Sequence, residues 1–222
     1  MTQEIVLTEE ILDQILPSSF PLSKKGSRGK ELLPYINRYF KKRGFTVEEA
    51  VYFLGNCLWE CGFFFYLEEG TIADGYSRPG EQYEGRKDLG NTEEGDGVLF
   101  VGRGMIQLTG RAIYTRFAHH IDDLALLEEP SRVASDPNLA VLTAIFYWTM
   151  FESKDTKTTC RDVACVDGDN HVKINRISGI INWGREYPKG KVNHLKQRIQ
   201  YTERAARALG VYESMFGAGS DE

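Results

Sequence analysis

Apolar residues recur along most of this chain at three- and four-residue spacing, the period of helices with one buried face. The pattern predicts a short helix around Thr8 to Leu16, followed by a turn-rich stretch containing Pro17, Pro21 and Gly26. A second helix is predicted over Lys30 to Arg43, stopped by Gly44. Thr46-Val47-Glu48-Glu49 has the form of a capping box and opens a third helix. On that helix Ala50, Val51, Phe53, Leu54, Cys57, Leu58 and Cys61 share one face, and Trp59 points to the opposite side. Helical patterning returns at Ile106 to Phe117. It returns again after Asp136-Pro137, an N-cap with proline at the first helical position, and runs to about Phe151. A last amphipathic helix is predicted from Val192 to Leu209, ending at Gly210.

Residues 68–104 break the pattern. They hold nine glycines and many charges and read as loops with a short hairpin. The fold class expected is therefore mainly α with one irregular insertion. Three regions are expected: an N-terminal segment (residues 1–27), a main domain (28–212) and a flexible tail (213–222).

A chain of 222 residues suits one domain with a real core. A hydrophobic share of 41% and a charged share of 27% are those of an ordinary globular protein. The formal net charge of −5 leaves no basic surplus to displace counterions from phosphates, so nucleic acid is not the expected partner. No apolar run approaches a membrane span, and Met1-Thr2-Gln3-Glu4-Ile5 lacks the basic start of a secretory signal. The expectation is a protein made in the cytoplasm, without stable membrane association. Cys57 and Cys61 lie on one helix face, but no second His or Cys pair completes a zinc site. They read as small core residues, and Cys160 and Cys165 as free thiols.

Two carboxylates stand out. Glu60 falls at the edge of the third helix's apolar cluster, beside Trp59 and followed by Phe63-Phe64-Phe65-Tyr66. Aromatic bulk around a carboxylate disfavours its charged form, the property a glycosidase acid needs. Most helical glutamates are solvated, so position alone supports Glu60 only modestly. Glu69 comes nine residues later and can face Glu60 only if the helix ends and the chain turns back. A second carboxylate across a cleft can activate water; Glu68 competes for that role. The most specific stretch is Gly102-Arg103-Gly104-Met105-Ile106-Gln107-Leu108-Thr109-Gly110-Arg111, followed by Tyr114. Its glycines permit close backbone approach, and Gln107 and Thr109 carry groups suited to sugar amides, hydroxyls or a water.

This stretch resembles the G-R-G-x-I-Q-L-[ST] signature of glycoside hydrolase family 19, a family of plant and bacterial chitinases and bacteriophage endolysins. Leu58-Trp59-Glu60-Cys61-Gly62-Phe63 resembles its H-E-[ST]-G-G-F acid motif. Glu68-Glu69 stands where bacterial and phage members carry the second carboxylate, and Asn175-Arg176-Ile177-Ser178-Gly179 is similar to a degenerate R-I-N-G-G motif. The resemblance covers about residues 28–210. It implies a lysozyme-like bilobal helical domain with a small loop or β-hairpin insertion beside the cleft, an inverting mechanism, and no metal or cofactor. It implies Glu60 as general acid, Glu69 as general base and Thr109 as a holder of the attacking water, with Thr71 a further water holder. Gln107, Arg103, Tyr114, Tyr66 and Ser178 are the implied sugar contacts. Departures at Trp59, Phe63, Ile113 and Ser178 point to a divergent subsite lining. The resemblance further implies endolysin-like hydrolysis of β-1,4 bonds in bacterial peptidoglycan, by a monomer that waits in the cytoplasm and reaches the cell wall through a membrane pore. The alternatives are a chitinase and, outside enzymes, an inactive glycan-binding or virion structural protein.

Overall fold

The structure is a computed structural model that describes residues 5–188 and 190–217. Eleven α-helices carry the described residues: α1 (Glu9–Ile15), α2 (Gly29–Arg43), α3 (Val47–Glu60), α4 (Asp96–Leu99), α5 (Arg111–His120), α6 (Arg132–Ser135), α7 (Pro137–Met150), α8 (Cys160–Cys165), α9 (Asn170–Trp183), α10 (Leu195–Ala208) and α11 (Tyr212–Phe216). The fold is mainly α, as expected. Several boundaries follow the anticipated local chemistry. Thr8, Thr46 and Asp136 accept from backbone amides at the starts of α1, α3 and α7, and Gly44 ends α2 in the left-handed region.

The capping box expected at Thr46 forms only by half. Thr46 accepts from the Glu49 amide at 3.1 Å, but the Glu49 carboxylate is buried and turned elsewhere. It accepts from the Trp148 indole at 2.8 Å and from Arg161 at 2.6 and 3.0 Å. A buried charge must be paired and hydrogen-bonded, so this cluster ties α3 to α7 and α8.

Nor does α3 have a single apolar face. Residues 49–58 are buried on every side, because α10 lies along it and α8 also packs against it. A Cβ on Gly55 would fall 2.1 Å from Thr202 Oγ1 and 2.6 Å from Thr202 Cα, so only glycine allows α3 and α10 to approach this closely. That crossing brings Arg198 of α10 beside the end of α3.

The N-terminal segment joins the same core. Leu7, Leu12, Ile15 and Leu16 are buried, and α1 packs on α10. Of the tail expected over 213–222, residues 213–216 lie in α11 and residues 218–222 lie outside the described residues.

The irregular stretch is not a hairpin. Among the described residues its only pairings of β type are isolated bridges, Glu68 with Arg103 and Arg103 with Leu108. Short 3-10 turns at Glu81–Tyr83 and Lys87–Leu89 and the single turn of α4 fill the rest. Helix α5 starts at Arg111 rather than Ile106, and Gln107 has φ of +54°. Helix α9, not anticipated, carries the Asn175–Gly179 stretch. Its pattern is muted because small residues are buried where it packs: a Cβ on Gly179 would sit 2.7 Å from the Arg185 carbonyl oxygen. No helix among the described residues is long and apolar enough to cross a membrane. All four cysteines are free; only Cys165 is exposed, and burial pushes the Cys61 thiol up to about 12.

Candidate active site

Glu60 is the last residue of α3, and the chain reverses directly after it. Gly62, Phe63 and Phe64 all have positive φ, at 52°, 60° and 73°. Two consecutive bulky residues in this region are unusual; here the burial of both phenyl rings holds them. The turn sends the chain back to the Gly102–Gly104 segment. The Glu69 amide donates to the Gly102 carbonyl at 2.9 Å, and the Gly104 amide donates to the Leu67 carbonyl at 2.8 Å. The reversal that Glu69 required is therefore present.

Around Gly102 three of the expected groups converge. A Cβ built there would lie 3.1 Å from Gln107 Oε1, 3.2 Å from Thr109 Oγ1 and 3.3 Å from Glu69 Oε2. Each is oriented from behind. Gln107 spends its amide N–H groups on the Tyr66 and Gly104 carbonyls, both at 3.0 Å. Thr109 donates its hydroxyl proton to the Gln107 carbonyl at 2.8 Å. Glu69 accepts from Gln82 Nε2 at 3.1 Å, from the Tyr83 hydroxyl at 3.1 Å to either oxygen, and from the Gly102 amide at 3.4 Å. Burial, reinforced by the Glu69 charge, pushes the Tyr83 phenol up, so Tyr83 stays a donor.

Glu60 has different company from the aromatic surroundings expected. Trp59 packs on Phe63, Tyr201 and His194. The Glu60 carboxylate instead meets the Arg198 guanidinium in a close ion pair and the Asn182 amide at 3.5 Å. Arg198 is 2% exposed, and Glu60 17%. Arg198 also donates to Asn56 Oδ1 at 3.1 Å and to the Asn193 carbonyl at 3.2 Å. Ser178 donates to the same Asn56 oxygen at 3.0 Å. A buried chain Ser178–Asn56–Arg198 thus fixes the carboxylate, drawn from α9, α3 and α10.

Some expected sugar contacts are scaffold residues instead. Ser178 and Tyr114 are fully buried and Arg103 nearly so. Arg103 holds Glu68 at 2.6 Å and the Leu99 carbonyl at 2.8 Å; Tyr114 donates to the Val101 carbonyl at 3.2 Å. Arg103 and Tyr114 satisfy carbonyls of the loop, and Ser178 meets the Asn56 side chain. Tyr66 is 61% exposed, with its ring over Gly62, and Thr71 is exposed beyond Glu69. Sequence reasoning missed Asn56, Gln82, Tyr83, Asn182 and Arg198, none of which lies in a recognisable motif.

A groove of about 550 Å³ runs beside these groups. Its walls include Gln107 and Thr109 from the loop, Ile113 and Arg116 from α5, Tyr147 and Phe151 at the end of α7, and Asn182 and Trp183 at the end of α9. Tyr83, which holds Glu69, and Asn182, which touches Glu60, both line it. Among the described residues no group of His, Cys, Asp and Glu is arranged to hold a metal.

The sequence profile of the class I chitinases, glycoside hydrolase family 19, matches residues 46–216. An acidic 27 kDa endochitinase of Solanum lycopersicum is 32% identical over 124 residues, which is 52% of this chain and 49% of that protein. A glycosyl hydrolase family 19 domain-containing protein of Haemophilus influenzae is 34% identical over 93 residues, 39% of this chain and 44% of that protein. The chain spans about half the length of the curated relatives it matches. The solved structure of chitinase C from Streptomyces griseus HUT6037 superposes with a TM-score of 0.67 at 24% identity, covering 92% of this chain and 93% of that one, and so shares the fold.

Proposed function

From the premise that this chain belongs to glycoside hydrolase family 19, we propose that it hydrolyses β-1,4 bonds in a polymer of N-acetylated amino sugars, with bacterial peptidoglycan as substrate. The observation that carries the chemistry is the convergence of Glu69, Thr109 and Gln107 around Gly102, with Glu60 anchored beside the same groove.

In this reading a sugar chain lies along the groove and the protonated form of Glu60, rather than the ion-paired carboxylate, donates its proton to the glycosidic oxygen as the bond to the anomeric carbon breaks. A water attacks that carbon from the opposite face and gives one proton to Glu69, so the product has inverted configuration. Thr109 has its own proton committed to the Gln107 carbonyl. It therefore presents lone pairs, which accept the water's second O–H and orient the attack. Once Glu60 has given up its proton, Arg198 stabilises the carboxylate left behind.

The groove's charge supports peptidoglycan. Arg86, Arg116 and Lys154 line it against the single acid Asp88, and peptidoglycan carries carboxylates that chitin lacks, on its stem peptides and on muramic acid units without one. The names of the plant relatives favour chitin as the second reading. The test is turbidity loss of permeabilised bacteria against release of oligosaccharides from chitin. Lysis by the parent, lowered at least about 100-fold in Glu60→Gln and in Glu69→Gln, is the expected result. Activity on chitin alone would replace the substrate, and a Glu60→Gln protein as lytic as the parent would remove the acid assignment.

A further inference from the structure

The chain carries a net charge of −5, yet its groove has a local excess of positive charge. The four charged residues of the wall are not equivalent. Asp88 is occupied by Arg86 through two contacts, at 2.7 and 2.6 Å. Arg116 and Lys154 have no carboxylate within ion-pairing distance among the described residues, although the Lys154 charge reaches Asp88 and adds a minor share to what Arg86 does in holding that carboxyl below the usual carboxylate range. Of the groove's two candidate catalytic carboxylates, Glu60 is matched by Arg198, and Glu69 is held by the neutral donors Gln82 and Tyr83.

The Arg116 side chain and the Lys154 backbone are anchored to helix ends. Helix α7 ends in a stack in which the Tyr147 and Phe151 rings lie 4.3 Å apart and 9° from parallel. The Arg116 guanidinium sits 5.7 Å from the Phe151 ring centre and donates to the Met150 carbonyl at 3.4 Å. Lys154 follows three residues later, with its amide bonded to the Gly184 carbonyl at 2.8 Å. Its Cε lies 3.5 Å from where a Cβ of Gly184 would be, beside the edge of Phe151. Arg116 thus meets the C-terminal end of α7, and the Lys154 backbone meets that of α9, with Phe151 near both. Trp183, 49% exposed, borders the same wall. Exposed Arg and Lys are ordinarily solvated and interact weakly with distant charges. Concave walls with aromatic lining exclude water and focus the field, and an aromatic beside a cation suits a sugar ring that carries an acid.

We propose that Arg116 and Lys154 form a carboxylate-reading subsite that makes this groove select glycan chains with acidic substituents over uncharged ones. The ligand class is an amino-sugar chain with a free carboxylate on alternate rings, such as the lactyl ether of muramic acid units that bear no stem peptide. The proposal rests on the substrate reading above and gives it a residue basis.

The test uses binding by the Glu60→Gln protein, so that cleavage is not needed. The probe is a soluble oligosaccharide of alternating N-acetylglucosamine and N-acetylmuramic acid, compared with the same oligosaccharide as its methyl ester. Isothermal titration should show the free acid bound about tenfold more tightly than the ester at low ionic strength, with the gap narrowing as salt rises. Adding Arg116→Gln and Lys154→Gln together should reduce the ratio to about one, with circular dichroism confirming the fold. Equal binding of acid and ester by the Glu60→Gln protein overturns the subsite, as does a ratio that survives the double replacement, or binding of neither. A protein that discriminates but whose Glu60 parent never cleaves keeps the subsite and loses the hydrolase reading. One that cleaves without discriminating does the reverse.

Discussion

Replacing Arg198 by methionine tests the network behind Glu60. Methionine keeps much of the aliphatic stem but has neither charge nor donor. The parent guanidinium serves Glu60, Asn56 and the Asn193 carbonyl from a position shut off from water. Removing one partner of a buried ion pair costs about 3–5 kcal/mol, because the other charge is stranded. Two features place this site at the lower end. Glu60 is 17% exposed and can be partly rehydrated, and Asn56 keeps the Ser178 hydroxyl at 3.0 Å. A loss of about 3 kcal/mol in a domain of this size lowers Tm by about 6–12 °C. The additional change Glu60→Gln removes the stranded charge. The double variant should therefore be more stable than the sum of the singles predicts, by at least about 1 kcal/mol. Scanning calorimetry of parent, both singles and the double near neutral pH measures all four corners. An Arg198→Met protein within about 2 °C of the parent, or strict additivity, would refute the claim that Arg198 holds Glu60 in place.

Two further expectations concern the site and its rim. Gly102→Ala places a methyl 3.1–3.3 Å from Gln107, Thr109 and Glu69, so these groups must give by tenths of an ångström. A full ångström of misplacement costs about 100-fold, so kcat should fall by about tenfold with little change in Tm; unchanged kcat would show that the convergence is not catalytic. Asp155 accepts the amides of Glu186 and Tyr187, each at 2.9 Å. Burial pushes its carboxyl up, but these donors prevail and bring it to about 2. Its folded value lies below its unfolded one, so its contribution is complete above about pH 4 and is lost as pH falls towards about 2. Fluorescence of the neighbouring Trp183 should report an acid transition in that window, absent from Asp155→Asn; a transition of equal size in that variant would assign it to another group.

Local chemistry determined a good part of this protein. Thr8, Thr46 and Asp136 start helices because their side chains satisfy nearby amides, and Gly44 ends one because only glycine enters the left-handed region freely. Glu60, Glu69 and the Gly102–Arg111 stretch could be named from residues close together in the chain. What surrounds the carboxylates could not. Arg198 lies 138 residues from Glu60 and Asn182 lies 122 away, and the approach of Arg198 depends on the Gly55–Thr202 crossing of α3 and α10. Tyr83 and Gln82 reach Glu69 only because the glycine-rich segment folds back on itself. Burial separated the rest: Ser178, Tyr114 and Arg103 carry groups suited to a sugar, but loop carbonyls and the Asn56 side chain claimed them first. Sequence thus determined which residues have the chemistry, through short-range capping, periodicity and motif. Tertiary packing decided which of them face the groove, because orientation and charge pairing depend on partners far away in the chain.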